Sequence, residues 1–203
     1  MTAQLYVISA PSGAGKTSLI RALREKHPQL LLSTSHTTRA PRPNEQHGRE
    51  YFFVDKSAFE QMIAAGEFLE HAQVFDNHYG TSQQQLKDKL ASGADVVLEI
   101  DWQGARQVRR LLPASRSIFI LPPSLEALRT RLTTRQTDSP EVIARRLADA
   151  VADMGHYREF DYVIVNDDFA RALADLEKIL AGQGEAWRSG RPELSGLAGD
   201  LLH

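Results

Sequence analysis

The segment Ala10-Pro-Ser-Gly-Ala-Gly-Lys16-Thr17 carries the clearest chemical signal in this sequence. Its glycines and other small residues let backbone N–H groups turn inward around phosphate oxygens, and a helix that begins directly behind them adds positive partial charge. Lys16 can reach the β- and γ-phosphates of a nucleotide, and the Thr17 hydroxyl can join the coordination shell of Mg²⁺. The usual first glycine of this motif is Ala10 here. We therefore predict a phosphate-binding loop, or P-loop, for a nucleoside triphosphate.

A second group of residues suits a phosphate dianion. Arg39 and Arg42 lie three residues apart beside Pro41 and Pro43, whose rings fix φ and hold the chain extended. An arginine grips phosphate oxygens in pairs through its planar fork, and Tyr51 downstream can add a phenol donor. From these residues alone, a solvated basic loop remains an open alternative.

Charged side chains in two further places could serve phosphoryl transfer. Asp101 comes just after the apolar run DVVLEI, and a carboxylate at the end of a strand can orient Mg²⁺ or its water. Arginines that reach a moving phosphoryl group stabilise its charge and exclude water, whereas arginines that only solvate helix faces are the alternative. Five arginines that could play either role fall within eighteen residues: Arg129, Arg131, Arg135, Arg145 and Arg146.

Short apolar runs without a helical period predict the strands that position these residues. They are residues 5–10, 30–33, 95–100, 117–121 and 162–165. Helical patterns separate them, beginning with a helix that ends before Pro28. Strands that alternate with helices form right-handed βαβ units and a parallel sheet. We therefore predict an α/β fold in which helices flank a parallel sheet.

One long segment interrupts this alternation and reads as an inserted lobe. It spans residues 34–93 and opens with polar and turn residues. Its pattern predicts a strand at 51–54, a helix at 57–66 and a turn at Tyr79-Gly80.

A second segment, residues 125–155, reads as a helical hairpin. Ser124 can cap its first helix, and Ser139 followed by Pro140 is a good start for its second helix. The tail from Gly182 contains five glycines and few long apolar runs, so we expect it to be loosely attached.

Composition excludes several classes of protein. The 203 residues include 24 Lys+Arg and 26 Asp+Glu, a net charge of −2, whereas proteins that clamp DNA or lie on anionic membranes are usually basic. The chain contains no cysteine, and its seven histidines show no metal-ligand spacing. No apolar run approaches the roughly 20 residues of a membrane span, and the N-terminus shows no signal-peptide pattern. We predict a soluble, cytoplasmic protein without nucleic-acid or membrane partners.

Taken together, these motifs resemble the guanylate kinase family. The matching stretches are SAPSGAGKT, STSHTTRAPRPNEQHGREYFFV, GEFLEHAQVFDNHYGT, LEIDWQGARQVR, PPSLEALRTRL and VIVNDD, in the family's order and at its spacings. The resemblance implies a P-loop NTPase core with a parallel sheet, a small GMP-binding lobe and a helical lid. The implied bounds are 3–182 for the domain, with a core (3–33, 94–124 and 156–182), a GMP-binding lobe (34–93) and a lid (125–155), and 183–203 for a C-terminal tail.

The resemblance also implies which residues hold GMP. Glu70 matches the carboxylate that faces the guanine edge, where N1–H and the 2-amino group are two donors side by side. Ser35 and Thr81 match the hydroxyls that complete base recognition. The residues that match phosphate contacts are Arg39, Arg42, Tyr51 and Tyr79. From sequence alone, Glu70 would be read as a surface acid.

The other implied roles belong to ATP and catalysis. The ATP-binding set is Ala10, Pro11, Ser12, Gly13, Ala14, Gly15, Lys16, Thr17, Arg131 and Asn166. The catalytic set is Lys16, Arg39, Arg135 and Arg146, and the Mg²⁺ set is Thr17 and Asp101, partly through water. Three positions depart from the family pattern. These are Ala10, Glu99 (a GMP-binding position where the family usually has Asp) and Gln136 (near Arg135, where glycines are common).

The implied reaction transfers the γ-phosphoryl group of ATP to GMP, with Mg²⁺ as the cofactor and ATP and GMP as small-molecule partners. The resemblance leaves open whether the protein forms a homo-oligomer. One alternative is a kinase for another phosphorylated acceptor such as ribose 1,5-bisphosphate, which should lack the set of Ser35, Glu70 and Thr81 that this chain has. The other is a non-catalytic guanylate-kinase-like binding module. Such modules characteristically lose the P-loop lysine, and Lys16 is present.

Overall fold

A computed structural model describes residues 3–133 and 140–202. The strands are β1 (Leu5–Ser9), β2 (Leu31–Ser33), β3 (His36–Thr37), β4 (Phe52–Phe53), β5 (Phe68–Val74), β6 (Asn77–Ser82), β7 (Val96–Glu99), β8 (Arg116–Leu121) and β9 (Tyr162–Val165). The helices are α1 (Lys16–Lys26), α2 (Lys56–Ala64), α3 (Gln83–Ala91), α4 (Trp102–Leu111), α5 (Leu125–Thr133), α6 (Pro140–Met154), α7 (Phe169–Leu180) and α8 (Glu193–Leu202). Two short 3-10 helices lie at Tyr157–Glu159 and Glu185–Trp187.

A five-stranded sheet with the order β2-β7-β1-β8-β9 forms the core, and the predicted parallel α/β fold is confirmed. Parallel pairing is seen between β2 and β7 and between β8 and β9. All five residues of β1 are buried, as its unbroken apolar run predicted. The structure contains all five predicted strands, and each bound differs from the prediction by at most one residue.

The chain divides into two compact units. The first consists of residues up to Val7 together with Pro28–Arg116. The second consists of Ile8–His27 together with residues from Ser117 onward. No helix within residues 3–133 and 140–202 has the length and apolar character that crossing a membrane requires.

The first unit contains a second sheet, with the order β4-β3-β6-β5. Strands β3 and β4 run parallel, and the other neighbours run antiparallel. Phe59 of α2, Phe68 of β5 and Leu86 of α3 are buried in this unit. The predicted strand at 51–54 and helix at 57–66 correspond to β4 and α2.

The predicted turn at Tyr79-Gly80 is wrong, because both residues lie within β6. Gly80 marks a close approach, since a Cβ there would meet the Phe68 ring at 2.9 Å. The chain instead turns between β5 and β6, where Phe75 has a φ of +54°.

In the second unit, α5 and α6 pack against each other as the predicted hairpin. Ser124 Oγ accepts a hydrogen bond from the Ala127 N–H at 3.0 Å, which confirms the predicted cap. Helix α6 begins at Pro140, and the predicted cap Ser139 lies outside the described residues.

The expectation of a loosely attached tail is wrong. Helix α8 packs against α6 and buries Leu194, Ala198 and Leu201. These apolar residues recur at helical spacing, although glycines interrupt the run between them. The Arg191 guanidinium also donates to the Val163 carbonyl at 2.7 Å, which ties the segment before α8 to β9.

Candidate active site

The predicted P-loop, residues 10–15, joins β1 to α1 in a backbone conformation that requires glycine. Gly13 and Gly15 have φ values of +90° and +96°. A Cβ at Gly13 would meet Leu128 of α5 at 2.9 Å. Lys16 and Thr17 are the first two residues of α1, whose N-terminal N–H groups favour an anion.

A cavity of about 540 Å³ in the second unit opens beside this loop. Asn166, directly after β9, donates from Nδ2 to the Ala14 carbonyl at 2.8 Å. Arg131 of α5 donates from Nη2 to the Asn166 carbonyl at 2.8 Å, whereas its buried Nη1 has no hydrogen-bond acceptor among the described residues. The cavity is lined by Gly13, Gly15, Ser18, Thr130, Arg131, Asn166, Asp167 and Phe169. The predicted ATP-binding residues Arg131 and Asn166 therefore lie together with the loop.

An arginine of the predicted lid also contacts the P-loop. Arg146 of α6 donates from Nη2 to Ser12 Oγ at 2.7 Å. Arg145 pairs with Asp149 on the same helix at 4.0 Å, as a helix-solvating arginine would. Arg135 and Gln136 lie outside the described residues.

The first unit contains a buried carboxylate. Glu70 of β5 is only 3% exposed, and it follows an irregularity in the pairing of β5 with β6 that begins at Phe68. Such bulges re-aim side chains. Thr81 of β6, directly opposite, donates from Oγ1 to Glu70 Oε1 at 2.6 Å. The structure thus brings two predicted guanine-recognition residues into contact.

The second oxygen of Glu70 lies against the first turn of α4. A Cβ at Gly104 would collide with Glu70 Oε2, so only glycine allows this approach. Asp101 is the N-cap of α4, and its Oδ1 accepts from the Gly104 N–H at 2.9 Å. The positive partial charge of the helix N-terminus stabilises negative charge at this place.

The predicted phosphate arginines share one acid, Glu45. Arg39 Nη2 lies 2.8 Å from each carboxylate oxygen of Glu45. The Arg42 backbone N–H donates to Glu45 Oε2 at 2.8 Å, while the exposed Arg42 guanidinium is 3.7 Å from Oε1. Burial alone would lower the pKa of Arg39, but the hydrogen bond and charge of Glu45 outweigh it and raise that pKa.

Aromatic residues surround Arg39. Its guanidinium carbon lies 5.4 Å from the centre of the Tyr51 ring, and the Tyr51 and Tyr79 ring centres are 5.9 Å apart. Burial raises the pKa of the Tyr51 phenol, and the neighbouring charge of Glu99 raises it further. Tyr51 therefore stays protonated and can donate a hydrogen bond. The structure places Arg39, Tyr51 and Tyr79, three of the predicted phosphate contacts, close together, with Glu99 near Tyr51.

Ser35, the remaining predicted base contact, lies in the short connection from β2 to β3 and is buried. Its carbonyl accepts from the Phe52 N–H at 2.9 Å, which connects it to β4.

The donor chemistry of Thr17 and Asp101 fits Mg²⁺, which prefers hydroxyl, carboxylate and water oxygens. Thr17 is exposed at the start of α1. The two Asp101 oxygens accept from the Gly104 N–H and from Gln103 Nε2 at 2.9 and 3.0 Å. Each carboxylate oxygen has a second lone pair, so Asp101 can still accept from a metal-bound water. Among the described residues, no group of three or more His, Asp or Glu side chains is arranged to hold a metal ion.

Sequence reasoning missed several residues in the predicted GMP-binding region and in the cavity beside the P-loop. Glu45 lies three residues after Arg42, a spacing that could have identified it. Gly104 gives no sequence signal, because its role depends on a carboxylate 34 residues away. The cavity residues that were missed are Ser18, Thr130 and Phe169.

A parallel α/β sheet with a glycine-rich loop at the start of the following helix defines a P-loop nucleotide-binding protein. Comparison with known proteins narrows this class. The family model described as guanylate kinase matches residues 2–183.

Curated relatives extend the match over the whole chain. A guanylate kinase from Alkalilimnicola ehrlichii is 55% identical over 202 residues and is covered completely, as is this chain. A guanylate kinase from Methylococcus capsulatus is 59% identical, with coverage of 98% of this chain and 97% of the relative. The crystal structure of guanylate kinase from Anaplasma phagocytophilum superposes with a TM-score of 0.75 at 34% identity, covering 95% of this chain and 93% of that one. The chain belongs to the guanylate kinase family, which confirms the family and the fold predicted from the sequence.

Proposed function

We propose that this protein is an ATP:GMP phosphotransferase, which transfers the γ-phosphoryl group of ATP to GMP and gives ADP and GDP. The observation that carries the proposal is the buried Glu70 carboxylate, which accepts from Thr81 and lies against the first turn of α4. Guanine presents N1–H and a 2-amino group side by side, and one carboxylate can accept both hydrogen bonds. Adenine has an acceptor at N1 and lacks the 2-amino group, so it would offer the buried Glu70 carboxylate neither of these two hydrogen bonds.

The GMP phosphate would bind at the cluster around Arg39. Arg39 and Arg42 supply positive charge, and the protonated Tyr51 phenol supplies a hydrogen-bond donor. Glu45 holds Arg39 in one orientation, so the guanidinium is already ordered before it meets a phosphate. Tyr79, Glu99 and Ser35 complete the proposed GMP site.

The ATP phosphates would bind to the P-loop backbone and Lys16, with the adenosine portion near Arg131 and Asn166. Arg146 already contacts the loop, and both it and Arg135 would stabilise charge on the transferred group. Thr17 and Asp101 would hold Mg²⁺, partly through water, and the bound ion would neutralise charge on the ATP phosphates. The acceptor phosphate oxygen is already ionised, so the reaction requires no general base.

The proposal retains the domain roles given by the resemblance. Residues 34–93 are the GMP-binding lobe, residues 125–155 are the lid, residues 3–33, 94–124 and 156–182 are the core, and residues 183–203 are the tail. A cytoplasmic location belongs to the same proposal.

The two alternatives have less support. A kinase for ribose 1,5-bisphosphate would have no use for a buried acid aligned with two base donors. A non-catalytic binding module would not need Lys16 at the head of a P-loop helix. Family membership over residues 2–183 and relatives 53–61% identical support the phosphotransferase.

Replacing Glu70 with Gln tests the proposal, because the amide N–H₂ would face the donors of guanine. We expect kcat/KM for GMP to fall about 100-fold, as two misplaced hydrogen bonds would cost. The affinity for ATP should stay within about twofold, because Glu70 would not contact ATP. A coupled ADP-release assay gives the first value, and calorimetric titration gives the second.

Glu67→Gln is the matched control, since Glu67 is an exposed acid just before β5. Its kinetics should be those of the unmodified protein. Equal losses of GMP turnover and ATP affinity in Glu70→Gln would refute the assigned role of Glu70.

A further inference from the structure

Strand β5, which carries Glu70, is an edge strand of the four-stranded sheet. An edge strand has backbone groups that no neighbouring strand pairs with. At His71, the residue after Glu70, one side chain takes up both groups. The His71 N–H donates to Gln107 Oε1 at 3.2 Å, and Gln107 Nε2 donates to the His71 carbonyl at 2.7 Å. The Gln107 carboxamide therefore pairs with the edge as the peptide group of another strand would.

A second glutamine, one helical turn earlier on α4, adds another contact. Gln103 Nε2 lies 3.3 Å from the Gln73 carbonyl and 3.0 Å from Asp101 Oδ2. Residues four apart on a helix are separated by about 6 Å along its axis, and residues two apart on a strand by about 6.8 Å. The spacing of the two glutamines thus matches the spacing of alternate β5 carbonyls, and two amides attach α4 to the strand.

These contacts lie next to the Glu70 carboxylate in the fold. Gly104 stands between the two glutamines in sequence, and Glu70 Oε2 packs so closely against it that a methyl group would not fit. Glu70 Oε1 accepts from Thr81 on β6. The positions of both carboxylate oxygens therefore depend on the distance between β5 and α4, which the Gln107 and Gln103 amides bridge.

We infer that Gln107, supported by Gln103, is a positioning residue for the recognition of guanine. It holds β5 against α4, so that the two Glu70 oxygens stay aligned with N1–H and the 2-amino group of the base. This inference rests on the proposed function, because it assumes that Glu70 reads guanine. A glutamine that only covered a strand edge would affect stability and leave base discrimination unchanged.

The test replaces Gln107 with Leu, which keeps the volume and removes both hydrogen bonds. The acceptors compared are GMP and inosine monophosphate, which has the same N1–H and lacks the 2-amino group. We expect the KM for GMP to rise about tenfold and the GMP-to-inosine-monophosphate ratio of kcat/KM to fall about tenfold, as a small misplacement of a binding group causes. The KM for MgATP should change less than about twofold.

Two comparisons separate positioning from a structural role. Gln84→Leu on α3 is the matched control, because the exposed Gln84 side chain donates to Asp88 on its own helix. Its kinetics should not change. In a Glu70→Gln background, Gln107→Leu should no longer alter the ratio between the two acceptors, since residues that act through one another are not additive.

Several results would overturn the inference. An unchanged acceptor ratio in Gln107→Leu would do so, as would a lower melting temperature alone or equal rises in both KM values. If Gln107→Leu does not fold, Gln103→Leu provides the same comparison, with a smaller change expected in the same direction. If the unmodified protein shows no turnover of GMP, the proposed function is overturned, and the inference with it.

Discussion

At the scale of single residues, burial determines what each charged group can do. Glu70 is almost fully buried, so a base that offers it no hydrogen-bond donor would meet a desolvation cost. Arg39 is held by Glu45, and its raised pKa keeps it charged at all relevant pH values. Tyr51 instead remains a neutral hydrogen-bond donor, because burial disfavours its ionised form.

Lys16 gives a prediction at this scale. Replacing Lys16 with Ala removes the charge that would meet the transferred phosphoryl group, so we expect kcat to fall by about 100- to 1,000-fold. GMP affinity should remain largely intact, because the proposed GMP contacts lie on other residues. Coupled-assay kinetics and calorimetry with GMP measure the two effects.

Lys26→Ala provides the control, since Lys26 lies at the other end of α1 and pairs with Glu177 at 2.9 Å. It should keep normal turnover. Loss of GMP affinity in Lys16→Ala would contradict the role assigned to Lys16.

The sequence made some site residues predictable and hid others. The P-loop and the Arg39–Arg42 pair are defined by local spacing, which a sequence displays directly. Glu70 is different, because its significance depends on contacts with Thr81 and Gly104, which are distant in sequence. Only the family resemblance distinguished it from a surface acid.

At the scale of elements, the pattern of apolar residues predicted the strands that are buried in the core. The core strands were recognisable because burial on both faces leaves unbroken apolar runs. Strand β5 was not predicted, because Glu70 is a polar residue at a buried position and breaks the alternation of apolar and polar residues that indicates a half-buried strand. Gly80 was mistaken for a turn residue because a sequence does not show that an aromatic ring lies against it.

Strand β3 supplies a prediction about pH. Burial lowers the pKa of His36 from its ordinary value of 6.5, with the nearby charge of Glu67 opposing the shift and that of His47 adding to it. The ring stacks on Phe52 at 4.8 Å, and its Nδ1 has no hydrogen-bond partner among the described residues. When the folded state resists protonation of His36, stability falls as the pH drops below the pKa that His36 has in the unfolded chain. We therefore expect stability to decrease below about pH 6.5.

Melting temperatures measured between pH 7.5 and pH 5 check this expectation. His36→Phe retains the aromatic stack and removes the titrating group, so its loss of stability toward pH 5 should be smaller. Identical pH dependence in the two proteins would show that His36 does not contribute.

At the scale of the whole molecule, each compact unit carries the proposed recognition residues for one nucleotide. The first unit contains Glu70, Thr81 and the arginine and tyrosine cluster of the proposed GMP site. The second contains the P-loop, Arg131, Arg146 and Asn166. Phosphoryl transfer requires both nucleotides to be bound together, so the enzyme should show little ATP hydrolysis without an acceptor.

The most direct test of the central claim is ADP release from MgATP with a panel of acceptors. The panel contains GMP, AMP, UMP, dTMP and ribose 1,5-bisphosphate. We predict turnover with GMP alone, because only guanine supplies both donors to Glu70. Comparable turnover with another acceptor, or GMP binding without any turnover, would contradict the assignment.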